Sequence, residues 1–417
     1  MKFNIPLIFS TLFAGAAATA FLVPAYVDNL QLSPAAVSFA RREQAEPPAL
    51  LKPIIEHVAT PKQVKGLYMS QCAAGSDEFR THLFALADDT EINSIVVDLK
   101  DYSGTVAFSS EIAEQGGKGC TVLDFRTLVK TMHEHGIYVI GRLTVFQDPL
   151  YTKAHPELAV QKKSGGVWHD YKGLAFVDVG AEPFWDYIIG LAREAHALGI
   201  DEINFDYIRY PSDGPMSEAV YAHSNTTKTK AENMERFFSY LSQAVRIEED
   251  NHMPVLSADL FGMVTTNSDD LNIGQVLERA LPYFDYVAPM VYPSHYPPHF
   301  NGWDNPNNHV YGVVQFSMSN AVRRAEATTT PIAWMGGERI GTTTPAIYTK
   351  PAYSPLKLRP WLQDFDYGGT YGSKEVREQI QATYDVGLYS WMLWDAANRY
   401  TKSALEVASS TIDETEQ

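Results

Sequence analysis

Two aspartates stand near the ends of apolar runs that have the length of buried strands. Asp206 lies near the end of one run, and Asp259 lies near the end of the next. Glycoside hydrolysis requires one carboxylate as nucleophile or base and one protonated carboxyl as acid. Asp206 and Asp259 are therefore the predicted catalytic pair. Each has a structural alternative, because Asp206 could pair with Arg209 or Arg142 and Asp259 could cap a loop.

Other polar and aromatic residues near the ends of these runs are predicted to contact a substrate. Aromatic rings suit the C–H faces of sugars, and acidic or amide side chains suit their hydroxyl groups. The alternative is structural, with the acids capping loops and the rings filling the core. The predicted substrate-binding residues are Asp98, Lys100, Arg142, Asn204, Arg209, Tyr292, His295, Trp361, Gln363, Asp364, Trp394 and Asp395.

Histidines near the sixth apolar run raise the question of a metal. His295 and His299 share a segment with Tyr292 and Tyr296, which suits substrate contact or, with two aspartates, metal binding. No histidine pair at helical spacing and no cysteine partner accompanies them. The sequence therefore predicts neither a metal nor a cofactor, and metal-assisted deacetylation that uses His295 stays open as an alternative.

Short apolar runs alternate along the chain with stretches in which apolar residues recur at helical spacing. These elements must position the residues named above. This pattern is typical of strand–helix units around a parallel sheet, and eight units close into a (β/α)8 TIM barrel, the predicted fold. An open doubly wound sheet is the alternative, but no glycine-rich phosphate loop follows the first run. The predicted strands cover Val64 to Ser70, Ile92 to Asp98, Ile137 to Leu143, Glu202 to Tyr207, Val255 to Leu260, Tyr286 to Tyr292, Leu358 to Gln363 and Leu388 to Trp394.

Helices are predicted between these strands, and several connections are long. The run from Pro331 to Gly337 could form an extra strand. Long connections follow the second, third, fourth and sixth strands, on the side where barrel enzymes place their active sites. The predicted helices cover Asp77 to Ala87, Leu123 to Glu134, Pro183 to Ala197, Lys230 to Glu249, Ile273 to Leu281, Val310 to Glu326 and Lys374 to Tyr384.

The chain contains two cysteines, Cys72 and Cys120. Two thiols cannot build a disulfide scaffold or a four-thiolate metal site. Because the loops after adjacent strands lie side by side, and export permits oxidation, a bond between them and two free thiols are both open.

The ends of the chain differ in composition from its middle. Residues 3–27 carry no charge and include Ala18-Thr19-Ala20, so residues 1–27 are predicted to be a signal peptide or a membrane anchor. Residues 28–61 are predicted to be a flexible linker, residues 62–404 the barrel, and residues 405–417 an acidic tail. The predicted location is outside the cell membrane, with a possible membrane tether through residues 3–27.

The overall charge excludes some partners. The 417 residues include 33 Lys and Arg against 50 Asp and Glu, a net charge of -17. This excess of negative charge repels phosphate backbones and anionic lipids. A carbohydrate partner is therefore predicted, and nucleic acid is not.

The strand ends together resemble a bacterial family of glycoside hydrolase-type domains of otherwise unknown function, related to the α-amylase-like barrel hydrolases. The resemblance covers roughly Lys62 to Ala404, and its specific marks are the runs from Asp206 to Pro211 and from Pro289 to His295. It implies that Asp206 is the nucleophile and Asp259 the general acid/base. At two positions this chain departs from the α-amylase-like group, and both bear on these roles. That group has Glu where this chain has Asp259, and Arg where this chain has Asn204.

The predicted function is hydrolysis of an envelope or extracellular polysaccharide by this carboxylate pair at the rim of the barrel. A catalytically silent envelope protein that binds glycan through Tyr292, Trp361 and Trp394 is an alternative from another class. Metal-assisted polysaccharide deacetylation is the third.

Overall fold

The computed structural model describes residues 56–246 and 253–408. Eight parallel strands close into a barrel in which each strand pairs with its neighbours in sequence and the last pairs with the first. The (β/α)8 prediction is confirmed. The barrel strands are β1 (Lys65–Met69), β2 (Ser94–Lys100), β3 (Tyr138–Thr144), β4 (Glu202–Asp206), β5 (Val255–Phe261), β6 (Tyr286–Met290), β7 (Trp361–Gln363) and β8 (Trp391–Trp394).

Helices connect successive strands, as predicted. In the described residues no α-helix follows β8, and the chain instead runs to a bridge between Val407 and Thr90. Two further short helices, Gln71–Ala74 and Pro149–Ala154, follow β1 and β3. The connecting helices are α1 (Asp77–Asp89), α2 (Phe125–Glu134), α3 (Glu182–His196), α4 (Lys230–Val245), α5 (Leu277–Ala280), α6 (Val310–Glu326) and α7 (Ser373–Asp385).

Two predicted elements differ from the structure for local reasons. The helix predicted from Ile273 is reduced to α5 because Asn272 and Gly274 have positive φ angles, which a right-handed helix cannot contain. The predicted extra strand from Pro331 to Gly337 does not form. A small antiparallel sheet flanks that run instead, with strands Thr329–Thr330, Arg339–Ile340 and Ile347–Thr349.

The core has an inner and an outer layer because side chains alternate along each strand. Tyr68 and Trp361 belong to a cluster inside the barrel, whereas Leu67 and Leu362 belong to the cluster that packs against the helices. Near the N-terminal ends of the strands, Arg359 donates to Glu202 at 3.0 Å. The barrel interior is therefore packed with side chains below the C-terminal rim that is predicted to carry the site.

The folded domain extends a few residues beyond both edges of the predicted barrel region. Val58 donates its backbone N–H to Asp201 at 2.6 Å, so the last residues of the predicted linker contact the barrel. At the other end, the backbone N–H of Glu406 donates to the carboxylate Oε1 of Glu91 at 2.9 Å. The signal or anchor predicted over residues 1–27, linker residues 28–55 and tail residues 409–417 lie outside the described residues. In the described part of the chain, no helix combines the length and apolar character needed to cross a bilayer.

Long loops form the rim at the C-terminal ends of the strands, as predicted. The loops after β3 and β4 are joined by a two-stranded antiparallel sheet, Gln161–Lys162 with Ala219–Val220. On the other side of the rim, Cys72 and Cys120 form a disulfide with a Cα–Cα distance of 4.9 Å. Of the two alternatives left open by the sequence, the bonded one is present.

Breaking this disulfide is expected to lower the free energy of unfolding by about 2–4 kcal/mol, because the bond closes a long loop in the unfolded chain. The cysteines are separated by 48 residues. Urea denaturation with and without a reductant measures the effect. The double variant Cys72→Ser/Cys120→Ser should match the reduced chain and be insensitive to reductant. Equal stability of the oxidised and reduced chains would contradict this expectation.

Candidate active site

The register of neighbouring strands places residues of β2 to β5 in one row inside the barrel. Asp98 on β2 pairs with Arg142 on β3, Arg142 pairs with Asn204 on β4, and Asn204 pairs with Ser257 on β5. Residues two positions apart on a strand share a face. Asp206 and Asp259 therefore point inward one step closer to the rim than Asn204 and Ser257.

Arg142 connects three buried acids. Its Nη1 donates to Asp98, and its Nη2 and Nε donate to Asp206 Oδ2 at 2.5 and 3.2 Å. Its Nε also lies 3.9 Å from Asp259 Oδ2. Charges removed from water need such pairing, because the desolvation of an isolated ion is costly. The pairing alternative for Asp206 is thus realised with Arg142.

Asp206 is held as a hydrogen-bond acceptor on both oxygens. Besides Arg142 at Oδ2, the backbone N–H of Tyr207 donates to Oδ1 at 2.5 Å. All of these donors stabilise the ionised carboxylate, two of them through the guanidinium charge. Asp206 therefore has the surroundings of a nucleophile or base.

Asp259 has the opposite electrostatic surroundings. Burial, followed by the nearby charge of Asp206, raises the pKa of Asp259 to about 8, although Arg142, Asn204 and Trp361 act against the shift. Its Oδ1 accepts from Asn204 at 2.9 Å and from Trp361 Nε1 at 2.8 Å, and no hydrogen bond from the described residues reaches Oδ2. These surroundings favour the protonated form of Asp259, which is the form that a general acid needs.

Both aspartates line one cavity of about 300 Å³, here called the first cavity. Each side chain is nearly buried, since Asp206 is 5% and Asp259 1% exposed. The residues that share this wall come from the ends of β3 to β8. Of the predicted substrate-binding residues, the first cavity is lined by Arg142, Arg209, Tyr292, His295, Trp361 and Trp394.

The aromatic wall is supported by stacking and by cation–π contacts. The ring of Trp394 stacks on Tyr68 with centroids 3.8 Å apart, and Arg142 lies 5.0 Å from the Trp394 centroid. Tyr68 in turn donates to Asp98 at 2.5 Å. Asp98 therefore lies behind Arg142 and does not line the first cavity. Desolvation raises its pKa, and Arg142 opposes the shift.

Lys100 lies outside the first cavity. Its side chain is completely buried, forms an ion pair with Asp148 at 2.8 Å and donates to the carbonyl of Thr144 at 2.5 Å. The expectation that Lys100 contacts substrate is not met, because these contacts hold Lys100 inside the protein. Asn204, also off the cavity wall, positions Asp259 as described above.

Three further predicted contacts hold loops together. Gln363 accepts from the Ser294 hydroxyl at 2.8 Å and thereby ties the loop after β6 to β7. Asp364 accepts from the backbone N–H of Thr401 at 2.9 Å, and Asp395 accepts from that of Arg399 at 2.9 Å. Asp395 caps the loop that follows it, as its structural alternative stated, whereas Gln363 and Asp364 hold other loops in place. None of the three lines the first cavity.

His295 lines the first cavity, and no acid is among its described contacts. Its Nδ1 lies 2.9 Å from the hydroxyl of Ser294, and its ring contacts Tyr292 and Tyr367 at centroid distances of 5.4 and 5.8 Å. No three His, Cys, Asp or Glu side chains are arranged as a metal-ligand set within residues 56–246 and 253–408. The deacetylase alternative required aspartates beside His295, and the described contacts of His295 include none.

Several wall residues were absent from the predicted set. Tyr207 and Met290 stand in the strand-end runs from which the resemblance was drawn, and Tyr296 directly follows one of these runs, so their neighbourhood was a usable signal. The remaining wall residues are apolar or lack a side chain, and nothing in their type marks them. The residues missed are Tyr207, Phe261, Gly262, Met263, Met290 and Tyr296.

A (β/α)8 barrel whose rim carries two carboxyl groups beside aromatic rings is typical of glycoside hydrolases. The chain belongs to the family described as "Putative glycosyl hydrolase domain", whose model matches residues 66–400. The resemblance drawn from the strand ends is confirmed, and the family makes the protein a glycosidase by class.

One solved structure supports the fold, and a second is similar in sequence. The PgaB (BpsB) glycoside hydrolase domain from Bordetella bronchiseptica is similar over 84% of this chain and 100% of that domain, with 12% identity and a TM-score of 0.56. A hypothetical protein from Ruminiclostridium thermocellum ATCC 27405 is 36% identical over 50% of this chain and 98% of that chain, with a TM-score of 0.41. No curated protein matches.

Proposed function

We propose that this protein hydrolyses a glycosidic bond of an extracellular or envelope polysaccharide, with Asp206 as nucleophile or base and Asp259 as acid. The observation that carries the proposal is that two carboxyl groups with opposite electrostatic surroundings share one cavity. Paired carboxyls whose surroundings separate their protonation states are the mark of acid–base division in such enzymes.

The spacing of the two carboxyls is compatible with these roles. Their Oδ2 atoms lie 3.2 and 3.9 Å from the same Nε of Arg142, which limits their separation to about 7 Å. Carboxyl pairs that act on one glycosidic bond are separated by about 5 to 9.5 Å. Asp259 would donate its proton to the leaving oxygen while Asp206, or a water that it activates, attacks the anomeric carbon.

The wall residues have roles in positioning the sugar. Tyr292 and Trp394 offer rings to the C–H faces, and Arg142 holds Asp206 in place through its two hydrogen bonds. Asn204 and Trp361 both donate to Oδ1 of Asp259, so the proton belongs on Oδ2. This arrangement orients the acid before substrate binds.

The activity is tested by incubating the purified chain with a panel of polysaccharides and measuring reducing ends. Turnover of at least one glycan that is lost in Asp206→Asn supports the proposal. The silent-binder alternative instead expects glycan affinity with no turnover in the unmodified chain.

An exported location, with residues 3–27 as signal or tether, is part of the proposal and is supported by the disulfide, since such bonds persist in oxidising compartments.

The kcat/KM for hydrolysis is expected to decrease as pH rises through about 8, because Asp259 then loses the proton that it must donate. In Asp259→Asn, kcat/KM should decrease about 10²- to 10⁴-fold on substrates with poor leaving groups and much less on activated aryl glycosides. A pH–rate profile with both substrate types measures this. An alkaline limb that survives in Asp259→Asn would assign the acid role to another group.

The same shift affects stability. Because the folded-state pKa of Asp259 is raised, the stabilisation from its bound proton is present at low pH and is lost as pH rises through about 8. Asp259→Asn has no such proton to lose. Its thermal unfolding temperature should therefore decrease less between pH 5 and pH 9 than that of the unmodified chain.

A further inference from the structure

A second cavity of about 480 Å³ lies at the same rim, where the loops after β2, β3 and β4 meet. Tyr102, Gln147 and Asp170 come from the first two of these loops. Tyr207 and Arg209 line both the second cavity and the first. Both volumes fall in the range of small-molecule sites, about 300–1,000 Å³. Because they share these two side chains, the two cavities are neighbours at the rim.

The junction between the cavities is built by an unusual backbone conformation. Tyr207 has a φ angle of 52°, in the left-handed region that residues other than glycine rarely adopt. Its N–H donates to Asp206 at 2.5 Å, and its carbonyl accepts from Phe146 at 3.2 Å. Strained conformations that are held in this way concentrate at functional sites. Here the strain turns the chain out of β4 and places the Tyr207 ring where the cavities meet.

Arg209 lines both cavities without an acidic partner. Its guanidinium lies 4.8 Å from the Tyr207 centroid and 5.4 Å from that of Phe261. Its Nη1 donates to the carbonyl of Tyr210 and to the hydroxyl of Ser212, and its side chain also hydrogen-bonds to Tyr207. Within the part of the chain that the structure describes, no carboxylate pairs with Arg209 at salt-bridge distance. A ligand in either cavity therefore meets a cation that is not held in an ion pair.

The wall of the second cavity combines one exposed ring with several hydrogen-bonding groups. Tyr102 is 57% exposed, so its ring is accessible to a ligand. Gln147, Asp170, Lys172 and Ser212 supply amide, carboxylate, ammonium and hydroxyl groups around it. A ring for C–H faces beside groups that pair with hydroxyls matches a sugar. The two acids and the two cations of this wall balance, so the wall carries no net charge and matches a neutral sugar.

We propose that the second cavity binds sugar residues of the same glycan chain whose scissile bond lies in the first cavity. Arg209 and Tyr207 contact the residue at the junction, and Tyr102 stacks on a residue beyond it. The substrate is then a chain of several sugars that is cleaved internally, not a disaccharide or a terminal residue. This inference rests on the proposed function, because it places additional binding beside that same bond.

The test measures kcat/KM of the full chain on oligosaccharides of increasing length, prepared from a polysaccharide that it hydrolyses. For the unmodified chain, kcat/KM should increase with length until both cavities are filled. Tyr102→Ala should lower the ratio of kcat/KM on the longest to the shortest substrate by about three- to tenfold, and Arg209→Gln should lower kcat/KM on all lengths. Tyr389→Ala is the matched control, because Tyr389 is another exposed tyrosine, just before β8, and it should leave the ratio unchanged.

Two results would overturn the inference: a kcat/KM that does not increase with length, or a Tyr102→Ala variant whose ratio equals that of the unmodified chain. A chain that hydrolyses none of the glycans would contradict the proposed function instead. In that event, calorimetric titration with the same oligosaccharides tests the second cavity separately. Tyr102→Ala must then weaken binding of the long oligosaccharides more than Tyr389→Ala does, and equal affinities would reject the site.

Discussion

Asp206→Asn is expected to reduce hydrolysis on the order of 10³-fold or more, because it replaces the charged carboxylate of the pair by a neutral amide. The fold should survive. Arg142 keeps Asp98 as a partner, and the remaining pair of Asp98 and Arg142 is close to neutral. Initial rates on a responsive glycan, with circular dichroism and thermal unfolding alongside, measure both parts of the expectation.

Asp98→Asn is the matched control for this variant. Asp98 is also a buried aspartate that accepts from Arg142, but it does not line the first cavity. It should retain far more activity than Asp206→Asn. If the two variants lose activity equally, Asp206 acts through Arg142 and has no direct part in the reaction. If Asp206→Asn retains full activity, Asp206 is removed from the mechanism.

Arg142→Met is expected to lower the free energy of unfolding at pH 7 by about 3–5 kcal/mol, the usual result of leaving buried charges without their partner. Arg142 is the cation that contacts Asp98, Asp206 and Asp259. Methionine fills similar space and carries no charge. Urea denaturation at pH 7 gives the difference, and hydrolysis should be lost together with stability.

The loss of stability in Arg142→Met should become smaller as the solution is acidified. Arg142 lowers the pKa of Asp98 against the effect of burial, so removing Arg142 raises that pKa further. Below it the acid is neutral and its burial costs less. Arg209→Met is the control, since Arg209 lines the same cavity without an ion pair among the described residues. A deficit that is equal in both variants, or independent of pH, would contradict the charge argument.

The sequence predicted the strands well because burial on both faces leaves a local signal. In β2, Ile95 and Val97 face the helices while Val96 faces the barrel interior, and such runs are apolar throughout. The main error in a strand boundary is also local. Pro360 has no N–H to donate, so β7 begins at Trp361, and Leu358 forms only an isolated bridge with Val287.

The sequence also singled out Asp206 and Asp259, because an acid in an apolar strand must be paired or functional. It could not assign the partners. Asp206 had Arg209 and Arg142 as candidates, and the structure pairs it with Arg142 on the neighbouring strand. It could not separate Lys100 from the cavity residues either, since the partner of Lys100, Asp148, is supplied by a loop beyond the next strand.

Composition, period and spacing by themselves determined the barrel, the rim that carries the site and the two central acids. Each of these depends on residues close together in the chain. Tertiary structure alone decided which side chains share a cavity, in which direction the pKa of Asp259 shifts and which residues line two cavities at once. Those properties depend on strand register and on loops that meet from distant parts of the chain, and local sequence carries no record of either.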